Sequence, residues 1–143
     1  MAAMDPIAAL RVLSAHRKGE IVVLHESNRH DWPQVSREPE LDVPFVGAMG
    51  KASSFALGLA LARPDHTFWV LDGDGALLMN LGTLVTIGEA APPNLVHVVY
   101  NNGAYDATGG QPTAGAGRVD YPALALAAGY PQDRKSTRLN SSH

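Results

Sequence analysis

Short apolar runs and longer amphipathic segments alternate along the chain, and this alternation predicts a sheet whose strands are linked by helices. Largely apolar runs of strand length, rich in β-branched residues and bounded by turn residues, occur at 20–24, 67–71 and 95–100. Because these runs lack the alternation of a half-exposed strand, they are typical of strands buried on both faces. The pattern therefore predicts an α/β fold, with a parallel sheet flanked by helices on both faces.

Between the predicted strands, apolar or small residues recur at intervals of three and four, which indicates helices. The predicted helices cover 6–17, 51–62 and 121–129, and a further helix of about four turns begins near Ala76 and ends before Pro92-Pro93. Two stretches show neither the apolar runs of a strand nor the helical intervals of three and four. The proline-containing stretch 25–44 is predicted to be an irregular surface segment, and the glycine-rich stretch 103–117 is predicted to be a loop.

Polar residues follow two of the predicted strands, at the points where the chain leaves the sheet. Gly73-Asp74-Gly75 follows the strand at 67–71, and Asn101-Asn102 follows the strand at 95–100. Because neighbouring parallel strands end at the same edge, Asp74 and Asn102 are expected to lie close together. The glycines remove side chains where the backbone must turn and approach a ligand, and the next helix points free N–H groups outward, which suits a phosphate.

A carboxylate in such a turn would repel a phosphate unless a cation lay between them, and Mg2+ binds hard oxygen ligands together with phosphates. Asp74 is therefore the predicted metal ligand, and Asn102 offers an amide oxygen. The following Gly103-Ala104 can bring a backbone carbonyl to the same ion. Two simpler interpretations remain open, namely that Asp74 caps the next helix and that Asn102-Gly103 forms a turn.

Three motifs in order resemble those of thiamine diphosphate enzymes, over residues 5–130. Gly73-Asp74-Gly75 followed by Asn101-Asn102 is similar to the diphosphate and metal motif of that family. Residues 47–50 and 105–111 narrow the resemblance to the group that contains phosphonopyruvate decarboxylase and the β subunit of sulfopyruvate decarboxylase. The resemblance implies the thiamin diphosphate-binding fold, with thiamine diphosphate and Mg2+ as cofactors.

The resemblance also implies which residues form the site. Mg2+ would be held by Asp74, the Asn102 side chain and the Ala104 carbonyl, and the diphosphate by N–H groups around Gly75 and Ala76, with Gly73 also among the cofactor-binding residues. The Gly47 carbonyl would accept a hydrogen bond from the aminopyrimidine, and Met49 would be the apolar prop that keeps the cofactor bent.

By the same resemblance, the chain is the diphosphate-binding half of a 2-oxoacid decarboxylase acting on phosphonopyruvate or sulfopyruvate. In the family, the activating glutamate belongs to a pyrimidine-binding domain. No catalytic residue is therefore assigned here, and the chain is expected to be inactive without that partner in a hetero-oligomer. Three alternatives remain open: a 2-oxoacid:ferredoxin oxidoreductase β-like subunit, which shares Thr108-Gly109-Gly110-Gln111, an acetolactate synthase-like carboligase, and a truncated cofactor-binding domain without turnover.

Composition narrows the partners and the compartment. The 143 residues, 45% of them hydrophobic, are enough for one domain with a core. The formal net charge of -3 argues against nucleic acid, no apolar segment is long enough to span a membrane, and the cytoplasm is the expected location. The sequence has no cysteine, which excludes disulfides within it. The histidines, including His97 within a strand, have no metal-ligand spacing and are predicted to have packing or surface roles.

The last part of the chain breaks from the alanine-rich pattern before it. Residues 133–143 have no apolar period and resemble translated adapter sequence, so the predicted cofactor-binding domain covers residues 1–132. A natural polar C-terminus is the alternative. If the tail is foreign, the native chain is expected to continue, because a complete domain of this type needs further strands. The predicted domain is then incomplete at its C-terminus.

Overall fold

The computed structural model describes residues 5–131, whose main sheet is parallel and lies between helices. The helices and strands are α1 (Pro6–His16), β1 (Ile21–Leu24), α2 (Asn28–Asp31), β2 (Asp42–Pro44), α3 (Ala52–Ala62), β3 (Phe68–Gly73), α4 (Asp74–Met79), α5 (Thr83–Ala90), β4 (Leu95–Tyr100), β5 (Ala104–Tyr105), β6 (Gln111–Pro112) and α6 (Tyr121–Ala127). Short 3-10 turns occupy Trp32–Gln34, Pro39–Leu41 and Asp106–Thr108.

The main sheet has the strand order β2-β1-β3-β4, and all of its pairings are parallel. Leu24 at the end of β1 lies opposite Leu71 of β3, and Gly73 at the end of β3 lies opposite Tyr100 at the end of β4. The carboxyl ends of β3 and β4 therefore meet at one edge, from which Asp74 and the asparagine pair leave the sheet. The predicted parallel α/β architecture is confirmed.

The core lies on both faces of this sheet, because successive strand residues point to opposite sides. Val22 and Leu24 are buried with Leu10 of α1, whereas Val23 between them is buried against Ala56 of α3. Burial of each such side chain contributes about 1.5–3 kcal/mol of hydrophobic stabilisation. The prediction of helices on both faces is confirmed.

Helices α4, α5 and α6 pack together beside the edge strand β4. Leu77, Leu84 and Tyr121, one from each helix, form a buried cluster. The approach of α5 to the end of α6 depends on Gly88, since a Cβ atom there would lie 2.1 Å from the Ala128 carbonyl oxygen. A glycine on a helix face lets two backbones meet at a distance that any larger residue forbids.

Most predicted elements agree with the structure to within two residues at each end. The first helix begins where the sequence indicates, because the Asp5 side chain accepts a hydrogen bond from the Ile7 N–H and Pro6 occupies the first helical position. The strand predicted at 95–100 has those bounds in the structure. The tail predicted at 133–143 lies outside the described residues. Within residues 5–131, no helix is long and apolar enough to cross a membrane.

The prediction of an irregular surface segment at 25–44 is wrong. The segment contains α2, two 3-10 turns and the edge strand β2, and the Trp32 side chain is fully buried. Two hydrogen bonds to Asp42 Oδ1 hold this segment in place. Arg17 NH1 donates to this oxygen at 2.8 Å, and Trp32 Nε1 donates to it at 2.9 Å. These contacts join residues distant in sequence, so local composition gives no sign of them.

The single helix predicted from near Ala76 is also wrong in its bounds. Helix α4 begins at Asp74 and ends at Met79, and a turn at residues 80–82 separates it from α5, which begins at Thr83. Asn80 leaves the helical region with φ -147° and its side chain donates to Ser54 Oγ at 3.3 Å, so a tertiary contact competes with helix continuation. The predicted loop at 103–117 contains a small antiparallel hairpin of β5 and β6.

Candidate functional site

A cavity opens at the carboxyl edge of the sheet, where β1, β3 and β4 end. Every predicted site residue except Gly47 lines it, namely Met49, Gly73, Asp74, Gly75, Ala76, Asn102 and Ala104. Gly73 and Tyr100 reach it from paired strand ends, and Asp74 to Ala76 form the first turn of α4. Parallel pairing of β3 with β4 thus brings together residues that are 29 positions apart, such as Asp74 and Gly103, which share a hydrogen bond.

Asp74 is almost completely buried, at 1% exposure, and its two oxygens differ in their surroundings. Oδ2 accepts hydrogen bonds from the Gly103 N–H at 3.2 Å and from the Thr113 hydroxyl at 3.0 Å. Gly103 precedes β5 and Thr113 follows β6, so this oxygen fixes both ends of the hairpin. Oδ1 takes part in neither bond and remains available to a cation.

Asn102 lies at the exposed rim of the same cavity. Its Oδ1 accepts the Ala104 N–H at 2.9 Å, and its Nδ2 donates to Asp106 Oδ2. These bonds direct the amide oxygen toward the start of the hairpin, and an amide oxygen has a second lone pair for another partner. Asn102 therefore forms an Asn turn, which was one of the two interpretations left open, and it keeps an acceptor for a metal.

The glycines of the motif make room for protein side chains. A Cβ atom at Gly75 would lie 2.5 Å from Tyr105 Cδ1, and one at Gly73 would lie 3.3 Å from His25 Cε1. From the sequence, these glycines are predicted to let a ligand approach the backbone. In the structure, Tyr105 of the hairpin and His25 after β1 occupy the space that the absent side chains leave.

Gly47 and Met49 belong to the turn that leads into α3. Gly47 adopts φ +83°, a conformation that favours glycine, and its N–H donates to Glu26 Oε2 at 3.2 Å. Met49 lines the cavity and is 44% exposed, so its side chain is not part of the core. The turn packs on α4 at Gly50, where a Cβ atom would lie 2.9 Å from the Ala76 carbonyl oxygen.

The charge of the cavity favours a cation. Among the described residues that line it, Asp31, Asp74 and Asp106 carry carboxylates, and none is a lysine or arginine. A diphosphate at this edge would be repelled unless a divalent cation stood between it and Asp74. No group of three or more His, Cys, Asp or Glu side chains within residues 5–131 is placed to hold a metal. A metal here would therefore use carboxylate and neutral oxygen ligands, the mixture that Mg2+ accepts.

His25 lines the cavity beside Gly73, whereas the sequence predicts only a packing or surface role for it. Burial lowers the pKa of His25, and the negative charges of Asp72 and Glu26 oppose this effect only in part. Its Nδ1 accepts the Ser27 N–H at 3.3 Å, which also favours an unprotonated nitrogen. The signal available in the sequence was its position directly after a predicted strand.

A second group missed by sequence reasoning lies behind the cavity. His97 Nε2 is 3.2 Å from Asp72 Oδ2, and its Nδ1 is 2.9 Å from the Tyr130 hydroxyl. The side chains of Asp72 and His97 are 1% and 3% exposed. Burial and, to a lesser degree, the charge of Asp72 raise the pKa of Tyr130 well above its usual range. The signal in the sequence is that Asp72 and His97 lie within apolar strands. Buried polar groups need hydrogen-bond partners, so these two residues are expected to pair.

The fold and the cavity together define a class of protein. A parallel α/β sheet presents a buried carboxylate, an amide oxygen and a glycine turn at its carboxyl edge, an arrangement suited to a phosphate-bearing cofactor. Residues 27–140 match the family model described as thiamine pyrophosphate enzyme, C-terminal TPP binding domain, and the chain belongs to this family. The resemblance inferred from the sequence is thereby confirmed.

Relatives narrow the likeness within the family. The chain is 50% identical over 96 residues to phosphonopyruvate decarboxylase of Streptomyces viridochromogenes, covering 67% of this chain and 24% of the relative. It is 45% identical over 96 residues to sulfopyruvate decarboxylase subunit beta of Methanothermobacter thermautotrophicus, covering 67% of this chain and 51% of the relative. The chain thus spans about a quarter to a half of the length of these relatives.

A solved structure agrees with the fold. The X-ray structure of a proposed thiamin diphosphate-dependent enzyme from Mycobacterium smegmatis superposes with a TM-score of 0.74 and 24% sequence identity, covering 90% of this chain and 26% of that chain. At this identity the likeness bears on the fold alone.

Proposed function

We propose that this chain is the diphosphate-binding half of a thiamine diphosphate-dependent 2-oxoacid decarboxylase and holds the cofactor through Mg2+. The observation that carries the proposal is the state of Asp74, a buried carboxylate fixed through Oδ2 at the end of β3, with Oδ1 left for a cation. A carboxylate whose position is set by hydrogen bonds before the ligand arrives needs no reorganisation on binding.

The remaining ligands follow from the lining of the cavity. Mg2+ would be held by Asp74, the second lone pair of Asn102 Oδ1 and the Ala104 carbonyl, and the diphosphate would meet the N–H groups around Gly75 and Ala76, next to Gly73 at the start of the turn. Met49 would support the bent cofactor, and the Gly47 carbonyl would accept from its aminopyrimidine. When bound, the cofactor supplies the nucleophilic carbon and the electron sink for loss of carbon dioxide. This chain orients the cofactor and balances its charge.

For the substrate, we propose a 2-oxoacid that carries a second anionic group, phosphonopyruvate or sulfopyruvate. The names of the relatives with 45–50% identity support this choice. The described residues of the cavity contribute three carboxylates and no lysine or arginine, so a cation that recognises the second anion would come from a partner. Supplying each 2-oxoacid to the assembled protein and identifying the aldehyde released tests this assignment.

The partner in this proposal is a pyrimidine-binding subunit or domain in a hetero-oligomer. Met49 lines the cavity and is 44% exposed, as expected of a residue that completes its burial with a cofactor and a second subunit. The activating glutamate would come from that partner, so the chain alone would show no turnover. The cytoplasmic location expected from the sequence is part of the same proposal.

Calorimetry with an Asp74→Asn variant tests the proposal. Asparagine keeps an acceptor for the hairpin but removes the negative charge, so we expect Mg2+-dependent binding of thiamine diphosphate to weaken by at least tenfold. The matched control is Asp65→Asn, which alters an exposed carboxylate paired with Arg63 far from the cavity. Both variants are titrated with the pyrimidine-binding partner present. Equal affinity in Asp74→Asn and the unaltered chain would contradict the assignment of the metal.

The same assembly separates the decarboxylase from the alternatives. Release of an aldehyde without an added electron acceptor supports the decarboxylase. Reduction of an acceptor would instead indicate an oxidoreductase, and condensation of two 2-oxoacids would indicate a carboligase. Binding of thiamine diphosphate without turnover of any 2-oxoacid would leave a cofactor-binding domain only.

A further inference from the structure

A chain of hydrogen bonds runs from the C-terminal part of the described chain to the turn that carries Asp74. The Tyr130 hydroxyl lies 2.9 Å from His97 Nδ1, and His97 Nε2 lies 3.2 Å from Asp72 Oδ2. The other carboxylate oxygen, Asp72 Oδ1, accepts the Gly73 N–H at 3.0 Å. Each link is within hydrogen-bond distance, and the last one ends on the residue directly before Asp74.

The strand register explains why these residues meet. Val70 lies opposite His97, and Asp72 lies opposite Val99, so Asp72 and His97 are diagonal neighbours on one face of the β3–β4 pair. Long side chains reach each other across that diagonal. Val99 and Tyr130 both pack on the cluster formed by α4, α5 and α6, so the same face also receives Tyr130.

Each hydrogen bond between Tyr130, His97, Asp72 and Gly73 can have one donor and one acceptor. With His97 Nε2 as the donor to the Asp72 carboxylate, Nδ1 of the same ring is free to accept the Tyr130 hydroxyl. Among the described ion pairs Asp72 has no lysine or arginine partner, and its two oxygens instead meet the His97 ring and the Gly73 N–H.

We propose that His97 and Tyr130 are positioning residues that set the affinity of the metal and cofactor site through Asp72. By keeping the Asp72 carboxylate in one orientation, they hold the Gly73 N–H, and with it the start of the turn from which Asp74 projects. Neither residue lines the cavity, so they touch no ligand there. The inference rests on the proposed function for its consequence, while the hydrogen-bond geometry stands without it.

Carboxylates and amides that support metal ligands from behind typically change metal affinity by 10–100-fold when they are removed. We therefore expect His97→Leu to weaken Mg2+-dependent thiamine diphosphate binding by about tenfold or more. His97→Gln, whose amide can still donate to Asp72, should retain most of the affinity. Tyr130→Phe removes a single oxygen and should fall between the unaltered chain and His97→Leu. His66→Leu, a change at a half-exposed histidine outside this group, is the matched control.

The experiment uses the full chain in two measurements. Hydrogen exchange of the 15N-labelled Gly73 amide is followed without cofactor, and calorimetry is then done with thiamine diphosphate, Mg2+ and the pyrimidine-binding partner. Faster exchange at Gly73 in His97→Leu and Tyr130→Phe, rescue by His97→Gln and a parallel loss of affinity support the proposal. If His97→Leu does not fold, Tyr130→Phe and His97→Gln still give both measurements.

Two results would overturn the inference. The first is unchanged Gly73 exchange in the folded variants, which would show that Asp72 keeps its orientation without His97. The second is normal affinity despite faster exchange, accompanied by a lower free energy of unfolding, which would leave the group a structural role only. If the unaltered chain does not bind the cofactor at all, the proposed function fails, and the Gly73 exchange alone decides the hydrogen-bond geometry.

Discussion

At the scale of single residues, the site depends on glycines that leave space for aromatic rings of the same chain. The Tyr105 ring covers Gly75 and the His25 ring covers Gly73, so the glycine turn is packed between a hairpin and the end of β1. Asp74 Oδ2 fixes the same hairpin at both ends. The position of the carboxylate and the position of the hairpin are therefore coupled.

Replacing Gly75 with alanine should displace the hairpin. A Cβ atom at this position would lie 2.5 Å from Tyr105 Cδ1, so we expect the free energy of unfolding to fall by about 2 kcal/mol and cofactor affinity to fall with it. Gly58→Ala is the matched control, since this exposed helical glycine has no heavy atom near its Cβ position and the change should stabilise by roughly 0.5–1 kcal/mol. Chemical denaturation measures both, and equal stability of the two variants would refute this packing argument.

His25 should make the stability of the chain depend on pH. Its pKa in the folded state is lowered from 6.5 by burial, so the unfolded chain takes up the proton first as the pH falls. The free energy of unfolding should therefore be highest above pH 6.5 and decrease as the pH falls through the lowered pKa. Denaturation curves of His25→Gln should be flatter over this range, whereas those of His16→Gln, at an exposed position on α1, should follow the unaltered chain. Identical slopes for His25→Gln and the unaltered chain would exclude this effect.

At the scale of elements, one buried cation, Arg17, joins the end of α1 to the edge strand β2 and to the 3-10 turn that begins at Trp32. The Arg17 side chain is 1% exposed and donates to the Glu20 carbonyl and to Asp42 Oδ1, and its guanidinium carbon lies 5.7 Å from the centre of the Trp32 ring. Ser27 and Asn28 line the cavity next to this segment. Attachment of β2 therefore also shapes one wall of the site.

Substitution of Arg17 by methionine should detach this segment. The change leaves Asp42 in a largely buried position without its cation, so we expect a loss of about 3 kcal/mol in the free energy of unfolding. Arg11→Met on the exposed side of α1, the helix that ends just before Arg17, should change stability by less than about 0.5 kcal/mol. Urea denaturation compares the two. A loss of similar size in both variants would mean that the buried position of Arg17 is not what matters.

At the scale of the whole molecule, the proposed cofactor site is a cavity lined by three carboxylates and by no lysine or arginine of the described residues. Met49 lines it and is 44% exposed, and the carboxylates need a cation to accept a diphosphate. Binding energy for the cofactor is therefore expected to come from the metal and from a second protein surface as well as from this chain. Stability of the assembly and occupancy of the site should then change together.

Metal removal tests this coupling. With thiamine diphosphate at 100 times its dissociation constant, Mg2+ present and the pyrimidine-binding partner added, the folded assembly should gain about 2.7 kcal/mol. A chelator should reverse the gain, and Asp74→Asn should show little of it. Thermal melting with and without chelator measures the shift. A gain that persists after chelation would mean that the cofactor binds without a metal at Asp74.

Much of the fold was predictable because it is encoded locally. Apolar runs marked β1, β3 and β4, the Asp5-Pro6 pair marked the start of α1, and the positions of Asp74 and Asn102 after successive strands predicted that they would share one edge. A parallel sheet places the ends of its strands side by side, so residues following those strands converge whatever the loops do. For this reason the cavity contains most of the residues expected from the sequence.

Tertiary structure alone decided the features whose partners lie far apart in the sequence. The burial of Trp32, the break between α4 and α5, the Tyr105 ring over Gly75 and the Asp72–His97–Tyr130 chain each depend on contacts across 10 to 33 positions. Hydrophobic periodicity and local propensity reflect residues that are close together in the sequence. They do not show how distant segments align or pack against each other. The sequence by itself therefore determined which residues stand at the edge of the sheet, and packing determined which side chains hold them there.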